Sequence, residues 1–291
     1  MTDVRTLEGA GGGIGGMLKA ALPTVPVVNQ LPGVRKTAKT LPDLVFQRTT
    51  TVERDHVAAY ASVCGFPEKD VAPLPYLHLV AFPLHLALMT DPAFPYPAIG
   101  TVHLENAITQ HRPVRVGEPV TASAKAQHLR AHAKGKVYDV EVSVTSDGET
   151  IWESTSTYLR LGGGDKENGD PGRTFSTVPN GGIPWKLPAD LGRRYAAVSG
   201  DHNPIHLYPI TAKAFGFPRQ IAHGMWSKAR CIAALENRLP DAVTVEVGFK
   251  KPIFLPGTVS FGMRQVGSGF EFSLENPKSG APHLLGRTTA L

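Results

Sequence analysis

The 291-residue chain has only two cysteines, Cys64 and Cys231, far apart and without C-x-x-C spacing. That is too few for a disulfide framework and the wrong spacing for a cysteine zinc site, so a reducing, cytoplasmic setting is expected. Uninterrupted apolar runs are also missing. The most apolar window, Val71 to Met89, is broken by Pro73, Pro75 and Pro83 and carries His78 and His85, which argues against a membrane span. No basic segment followed by an apolar one opens the chain, and Asp3 and Glu8 precede its small residues, so a secretory signal is not expected. His78, His85, His103, His111, His128 and His132 form no H-x-x-x-H or H-E-x-x-H pattern on a helical face, which leaves metal binding without support. What remains is a globular balance, 42% hydrophobic and 19% charged, with enough chain to bury a sizeable core.

The net charge of +5 is unevenly spread. Up to Asp165 there are 15 Lys+Arg against 16 Asp+Glu; from Lys166 onward there are 15 against 9. The later basic residues are scattered in ones and twos without interleaved aromatics, so nucleic acid is not the expected partner. A phosphate-bearing small molecule or an acidic carrier protein suits the bias, and ordinary solvated charge explains it equally well. Gly11, Gly13 and Gly16 formally spell G-x-G-x-x-G, but no strand-like run precedes them. Residues 1–40 therefore read as a flexible N-terminal arm.

The rest of the chain looks duplicated. GGGDKENGDPG, between Leu161 and Gly172, has no apolar member and reads as a linker over residues 162–172. On either side, YASVCG from Tyr60 is echoed by YAAVSG from Tyr195, an offset of 135, and Pro113 in HRPVRVGEPV is echoed by Pro252 in KKPIFLPGTV, an offset of 139. Each half, 41–161 and 173–291, runs from a helical, loop-rich portion to a strand-rich one. β-rich segments are expected at Val120 to Leu129, Val137 to Thr145 and Thr150 to Leu161, with turns at Lys134-Gly135 and Asp147-Gly148. In the second half they fall at Val243 to Phe249, Thr258 to Val266, Phe270 to Leu274 and Leu284 to Leu291. This is an α+β pattern of consecutive antiparallel strands.

Chemistry concentrates in the second half. Within SGDHNPIH, from Ser199, an acid, an amide and an imidazole fall in six residues: Asp201, Asn203 and His206. Gly200 and Pro204 prevent a regular helix or long strand there, so a shaped loop can aim the acid and the imidazole at one point. Farther on, His223 and Gly224 directly precede the helix-favouring run MWSKARCIAALE, whose first backbone N–H groups suit a developing oxyanion. S-G-D-x-N-P-I-H followed by A-x-x-x-G-F and A-H-G-M resembles the MaoC-like, R-specific enoyl-CoA hydratases, or 3-hydroxyacyl-thioester dehydratases. The resemblance implies a hotdog fold, a long helix wrapped by a curved antiparallel sheet, and, with the duplication, a double hotdog in one chain. Many members carry Asp two residues after the histidine, where this chain has Tyr208, so the capping contact of that Asp does not carry over.

The resemblance also implies roles. Asp201 and His206 become the catalytic pair, Asn203 their orienting neighbour and the Gly224 N–H the oxyanion donor, with Ser199 and His223 in support. Together they would hydrate trans-2-enoyl thioesters, or dehydrate (3R)-hydroxyacyl thioesters, carried on CoA or acyl carrier protein. No cofactor or metal is needed. The positions matching Asp201 and His206 in the first half hold Phe66 and Val71, so only one half can carry the reaction. The other can widen an acyl channel or simply cover its partner's sheet edge and helix face. Two alternatives are a catalytically silent acyl-binding or scaffold subunit and a hotdog thioesterase. Whether the chain pairs further, as a homodimer, is left open.

Overall fold

A computed structural model of the chain describes residues 2–8, 38–98, 100–178, 182 and 184–291. Gly11, Gly13 and Gly16 lie outside the described residues. Eleven described strands form one sheet. The first half supplies β1 (Asp3–Thr6), β2 (Leu44–Thr51), β3 (Thr101–Gln110), β4 (Pro119–His132), β5 (Gly135–Ser146) and β6 (Glu149–Leu161). The second supplies β7 (Pro184–Leu187), β8 (Val243–Phe249), β9 (Gly257–Val266), β10 (Gly269–Glu275) and β11 (Pro282–Ala290). Helices α1 (Arg54–Cys64) and α2 (Leu77–Thr90) belong to the first half, and α3 (Leu191–Ser199), α4 (Pro209–Ala214) and α5 (Gly224–Leu235) to the second.

The strand order is β1-β2-β4-β5-β6-β3-β8-β11-β10-β9-β7, so the halves meet edge to edge through antiparallel β3 and β8. In that pairing Ala107 stands opposite Glu246, and 246 − 107 = 139, the offset already read from Pro113 and Pro252. The strand order of one half mirrors that of the other about the β3–β8 seam, so the edge that each would leave open is closed by the other half. The expected segments of both halves coincide with β4 to β6 and β8 to β11; burial alternates clearly in β4, from Val120 to Ala126, and in β8, while β10 is buried at nearly every position. The Asp147-Gly148 turn has φ of 50° and 81°, the doubly positive geometry of a two-residue hairpin turn that Asp-Gly favours.

The helices repeat the symmetry. α1 ends on Gly65 (φ 80°) and α3 on Gly200 (φ 72°), left-handed caps whose N–H groups bond Ala61 O and Ala196 O. Tyr60 and Tyr195, the two matching tyrosines, lie 6.4 Å apart between ring centres. α2 is buried nearly all round and packs on β2, β4 and β5, which fits its uniformly apolar sequence. α5 buries Met225, Trp226, Ala229, Ile232 and Leu235 and contacts α1 of the other half.

Beyond the expected segments, β2 (Leu44–Thr51) and β7 (Pro184–Leu187) form early in the two halves, and three further regions add to the sequence reading. Asp3–Thr6, within the predicted arm, form β1 parallel to β2; four exposed residues carry no burial pattern to read. The linker is laid against the β4–β5 hairpin: Gly162, Asp165 and Asp170 donate backbone bonds to Lys134 O, His132 O and Ala131 O, and Asp170 pairs with Arg130. β3, the central strand, has no counterpart among the predicted segments because Glu105, Asn106 and Gln110 are buried in it. Their partners come from distant parts of the chain. Asn106 bonds Ser156, Gln110 bonds Asp241 O, and Glu105 takes the Arg173 backbone N–H at 2.6 Å and its guanidinium at 3.0 Å.

Candidate active site

The SGDHNPIH segment folds as a set of local turns. Gly200 ends α3, and the next N–H, of Asp201, donates to Ser199 Oγ at 3.2 Å. The Asn203 N–H donates to Asp201 Oδ1 at 3.1 Å, and Asn203 Oδ1 accepts from the Ile205 N–H at 3.4 Å. Asn203 thus orients the acid through its backbone and caps the single 3-10 turn Pro204–His206 with its side chain. His206 Nδ1 donates to Ile221 O at 2.9 Å, a bond that fixes the ring and leaves Nε2 as the acceptor nitrogen. Tyr208 stands at the α4 N-cap without a side-chain cap bond, as its departure from the family pattern implies, and lies under the Arg193 guanidinium at 4.8 Å.

His223 is drawn further into the centre than its sequence position suggests. It caps α5, stacks on His206 with ring centres 3.7 Å apart, and donates from Nε2 to Asp201 O at 2.9 Å. Only the fold joins these two histidines, since 17 residues separate them. Burial pushes the Asp201 carboxyl above its ordinary range and the His206 imidazole below its own; the attraction between the pair opposes both shifts. Burial holds His223 neutral, and the neighbouring His206 pushes it the same way. About a quarter of the Asp201 side chain (24%) stays accessible, the part that meets the cavity.

Gly224 is the first residue of α5, where a backbone N–H has no partner within the helix. A Cβ there would come 3.2 Å from the Phe249 ring, so the space beside this N–H is already tight. Asp201, His206 and His223 are also the described residues that could hold a metal ion, with one ligand atom from each within 4.8 Å of the others. His223 Nε2 donates to Asp201 O, which leaves Nδ1 as its acceptor nitrogen.

These groups line a cavity of about 310 Å³ built from both halves. The second half contributes Ser199, Asp201, Asn203, His206, His223 and Gly224, which brings together every candidate residue of the sequence. The first contributes Leu79, Phe82, Leu86 and Met89 along one face of α2, with His103 and Tyr158 from β3 and β6. Exposed Lys250 and Lys251 mark its mouth. Their KKP string is visible in the sequence; no local signal points to Ile221 O, Tyr158 or His103, which reach the site by strand pairing. Val71 is not the structural match of His206. It forms a bridge to Arg115, as Ile221 does to Phe254, and the first half has no counterpart to the loop that carries His206. Phe66 is buried against Tyr60.

A duplicated hotdog with one acid–imidazole centre beside a helix start defines the class. Residues 170–277 match the MaoC like domain. The chain is 38% identical over 280 residues to the 3-hydroxyacyl-thioester dehydratase X of Mycobacterium tuberculosis, covering 94% of this chain and 96% of that protein. The crystal structure of HtdX from the same organism superposes with a TM-score of 0.74 at 36% identity, over 84% of this chain and all (100%) of that one. Another M. tuberculosis protein, described as a double hotdog fold, agrees in fold alone: TM-score 0.57, 13% identity, 85% of this chain and 95% of that one. The chain belongs to the MaoC-like dehydratase family, and its architecture is the α+β double hotdog. Among the described residues no helix is long and apolar enough to cross a membrane.

Proposed function

We propose that the protein is a hydro-lyase that adds water reversibly to trans-2-enoyl thioesters and removes it from (3R)-hydroxyacyl thioesters, with one site per chain. The observation that carries this reading is the convergence of Asp201, the Nε2 side of His206 and the start of α5 on one cavity. In hydration, His206 and Asp201 hold a water between them. One accepts its proton as the hydroxyl adds to C3, and a proton is delivered to C2. The thioester oxygen gains negative charge as C3 is attacked, and the Gly224 N–H at the positive end of α5 is placed to bind it. Asn203, Ser199 and His223 keep the acid and imidazole in register through the bonds described above.

The apolar face of α2 suits an acyl tail, and Lys250 and Lys251 at the mouth suit the phosphates of a carrier arm, whether CoA or acyl carrier protein. A panel of trans-2-enoyl-CoA substrates from C4 to C16, followed by loss of enoyl absorbance and by mass spectrometry, tests the reading. The expected product gains one water and keeps its thioester. Release of free thiol would show a thioesterase, and an unchanged substrate a silent binding protein. Chiral chromatography should give the 3R alcohol; a predominantly 3S product would mean a different arrangement of the site.

A further inference from the structure

The first-half wall of the cavity is not uniformly apolar. His78 from α2, His103 from β3 and Tyr158 from β6 line it, and His85 stands behind them. The four rings form one cluster: His103 lies 4.6 Å from Tyr158, and His78 lies 5.3 Å from His85 and 6.3 Å from His103. His85 Nδ1 is 3.0 Å from the Tyr158 hydroxyl. His78 Nδ1, His85 Nε2 and His103 Nε2 are buried and have no partner. Folded proteins rarely leave one such atom bare, and three in one cluster call for a ligand. His78 and His103 both line the cavity, so their unpartnered nitrogens lie within its wall, while a backbone bond to Glu105 holds the His103 ring.

The cluster has a definite place along the cavity. Phe249 touches the space beside Gly224, His103 packs 5.1 Å from Phe249, and His78 follows, 6.3 Å from Phe82. Leu86 and Met89 continue the same α2 face. A chain running from the Gly224 N–H along this wall meets imidazoles first and hydrocarbon afterwards. Burial lowers the pKa of all three histidines, His85 and His103 to about 3, so they are neutral and each offers one N–H and one acceptor nitrogen. Such a wall matches a hydroxyl or carbonyl, to which a neutral imidazole can donate or from which it can accept.

We propose that His78 and His103, backed by Tyr158, form a recognition site for an uncharged oxygen function on the acyl chain, between the reacting carbons and an apolar tail. This rests on the acyl-thioester reading of the cavity. Wild-type protein should bind saturated dodecanoyl-CoA bearing one hydroxyl or keto group, scanned over C5 to C8, at least about tenfold more tightly than plain dodecanoyl-CoA at one of those positions, the weight of one well-made hydrogen bond. In His103→Phe and His78→Leu, each checked for an intact melting transition, that ratio should fall to about one while plain dodecanoyl-CoA still binds. Equal binding of plain and oxygenated chains by the wild type overturns the inference, as does a preference that survives both variants. Calorimetry on these unreactive ligands reads recognition without turnover. Hydration of plain trans-2-dodecenoyl-CoA, run alongside, tests the underlying activity separately, since a protein that binds acyl-CoA but hydrates nothing fails there and not here.

Discussion

From the cap of α1 at Gly65 to the bridge at Val71 the first half takes six residues (71 − 65); from the cap of α3 at Gly200 to the matching bridge at Ile221 the second takes 21 (221 − 200). The backbone contacts at the two bridges are held in common, and the matching carbonyls of Val63 and Val198 are each met by a ring N–H from the other half. Ala72 N bonds Val114 O where Ala222 N bonds Ile253 O, and Val63 O accepts from Trp226 Nε1 where Val198 O faces His56 Nε2. The extra residues of the second half hold Asp201, Asn203 and His206, and Ile221 at the end of the insertion turns the His206 ring toward the cavity. In the proposed reading, one such insertion in a duplicated scaffold supplies the chemistry. The same path without it brings α2 up to the cavity, where its side chains become wall.

The division extends into the helices. With the bridges as reference, 221 − 71 = 150, and the same offset places Lys228 of α5 opposite His78 of α2. His78 borders the cavity. Lys228 is fully buried, and its Nζ donates to Asn106 Oδ1, to Asn106 O at 3.2 Å and to Val245 O at 2.9 Å, tying α5 to the β3–β8 seam. Burial pushes the Lys228 pKa well down, and the Glu246 carboxylate opposes that shift.

The largest expected effect tests whether chemistry sits in one half. Asp201→Asn and His206→Gln should each lower hydration kcat by about 10²–10⁴-fold with the melting transition intact. Phe66→Leu should leave turnover per folded molecule unchanged, and near-wild-type turnover of either dyad variant would refute the assignment. Second comes the seam. Lys228→Met leaves acceptors unpaired in the core, at about 1–3 kcal/mol each, and denaturant unfolding should show that loss; a wild-type midpoint would mean the lysine does not join the halves energetically.

The third sharpens the role of the first half as channel wall. A bulkier residue or a charge at Leu79 or Phe82 should raise KM for long enoyl chains and spare C4, since each methylene kept out of the cavity is worth about 0.8 kcal/mol. Equal effects at C4 and C16 would make the segment scaffold only. The smallest effect near neutrality is on acid stability. His78, His85, His206 and His223 all have folded pKa values depressed by burial. Their contribution is therefore full above the unfolded value near 6.5 and is lost as pH falls below it, approaching about 1.4 kcal/mol per pH unit for each histidine. Thermal melts at pH 7, 6 and 5 should fall progressively, and His78→Leu should flatten the trend. A melting temperature that does not change with pH would show these histidines to be charged or exposed.

Much of this was legible along the chain. The β-rich composition of β4 to β6 and β8 to β11, with alternating burial in β4 and β8, is a local property, so it shows in the residue pattern, and the Tyr60/Tyr195 and Pro113/Pro252 echoes reveal the duplication because both halves solve one packing problem. Asp201, Asn203 and His206 could be singled out because the loop they form depends on Gly200 and Pro204 beside them. Contacts between distant segments decided the rest. β3 hides its identity because its buried Asn106 answers a lysine 122 residues away. His223 joins the dyad only when α5 packs against the loop, and His103 and Tyr158 reach the cavity only through the sheet. The sequence determined which residues have the chemistry and where chain direction can turn. Only the tertiary structure decided which first-half side chains line the cavity and which polar groups are buried, because desolvation and pairing are set by neighbours in space.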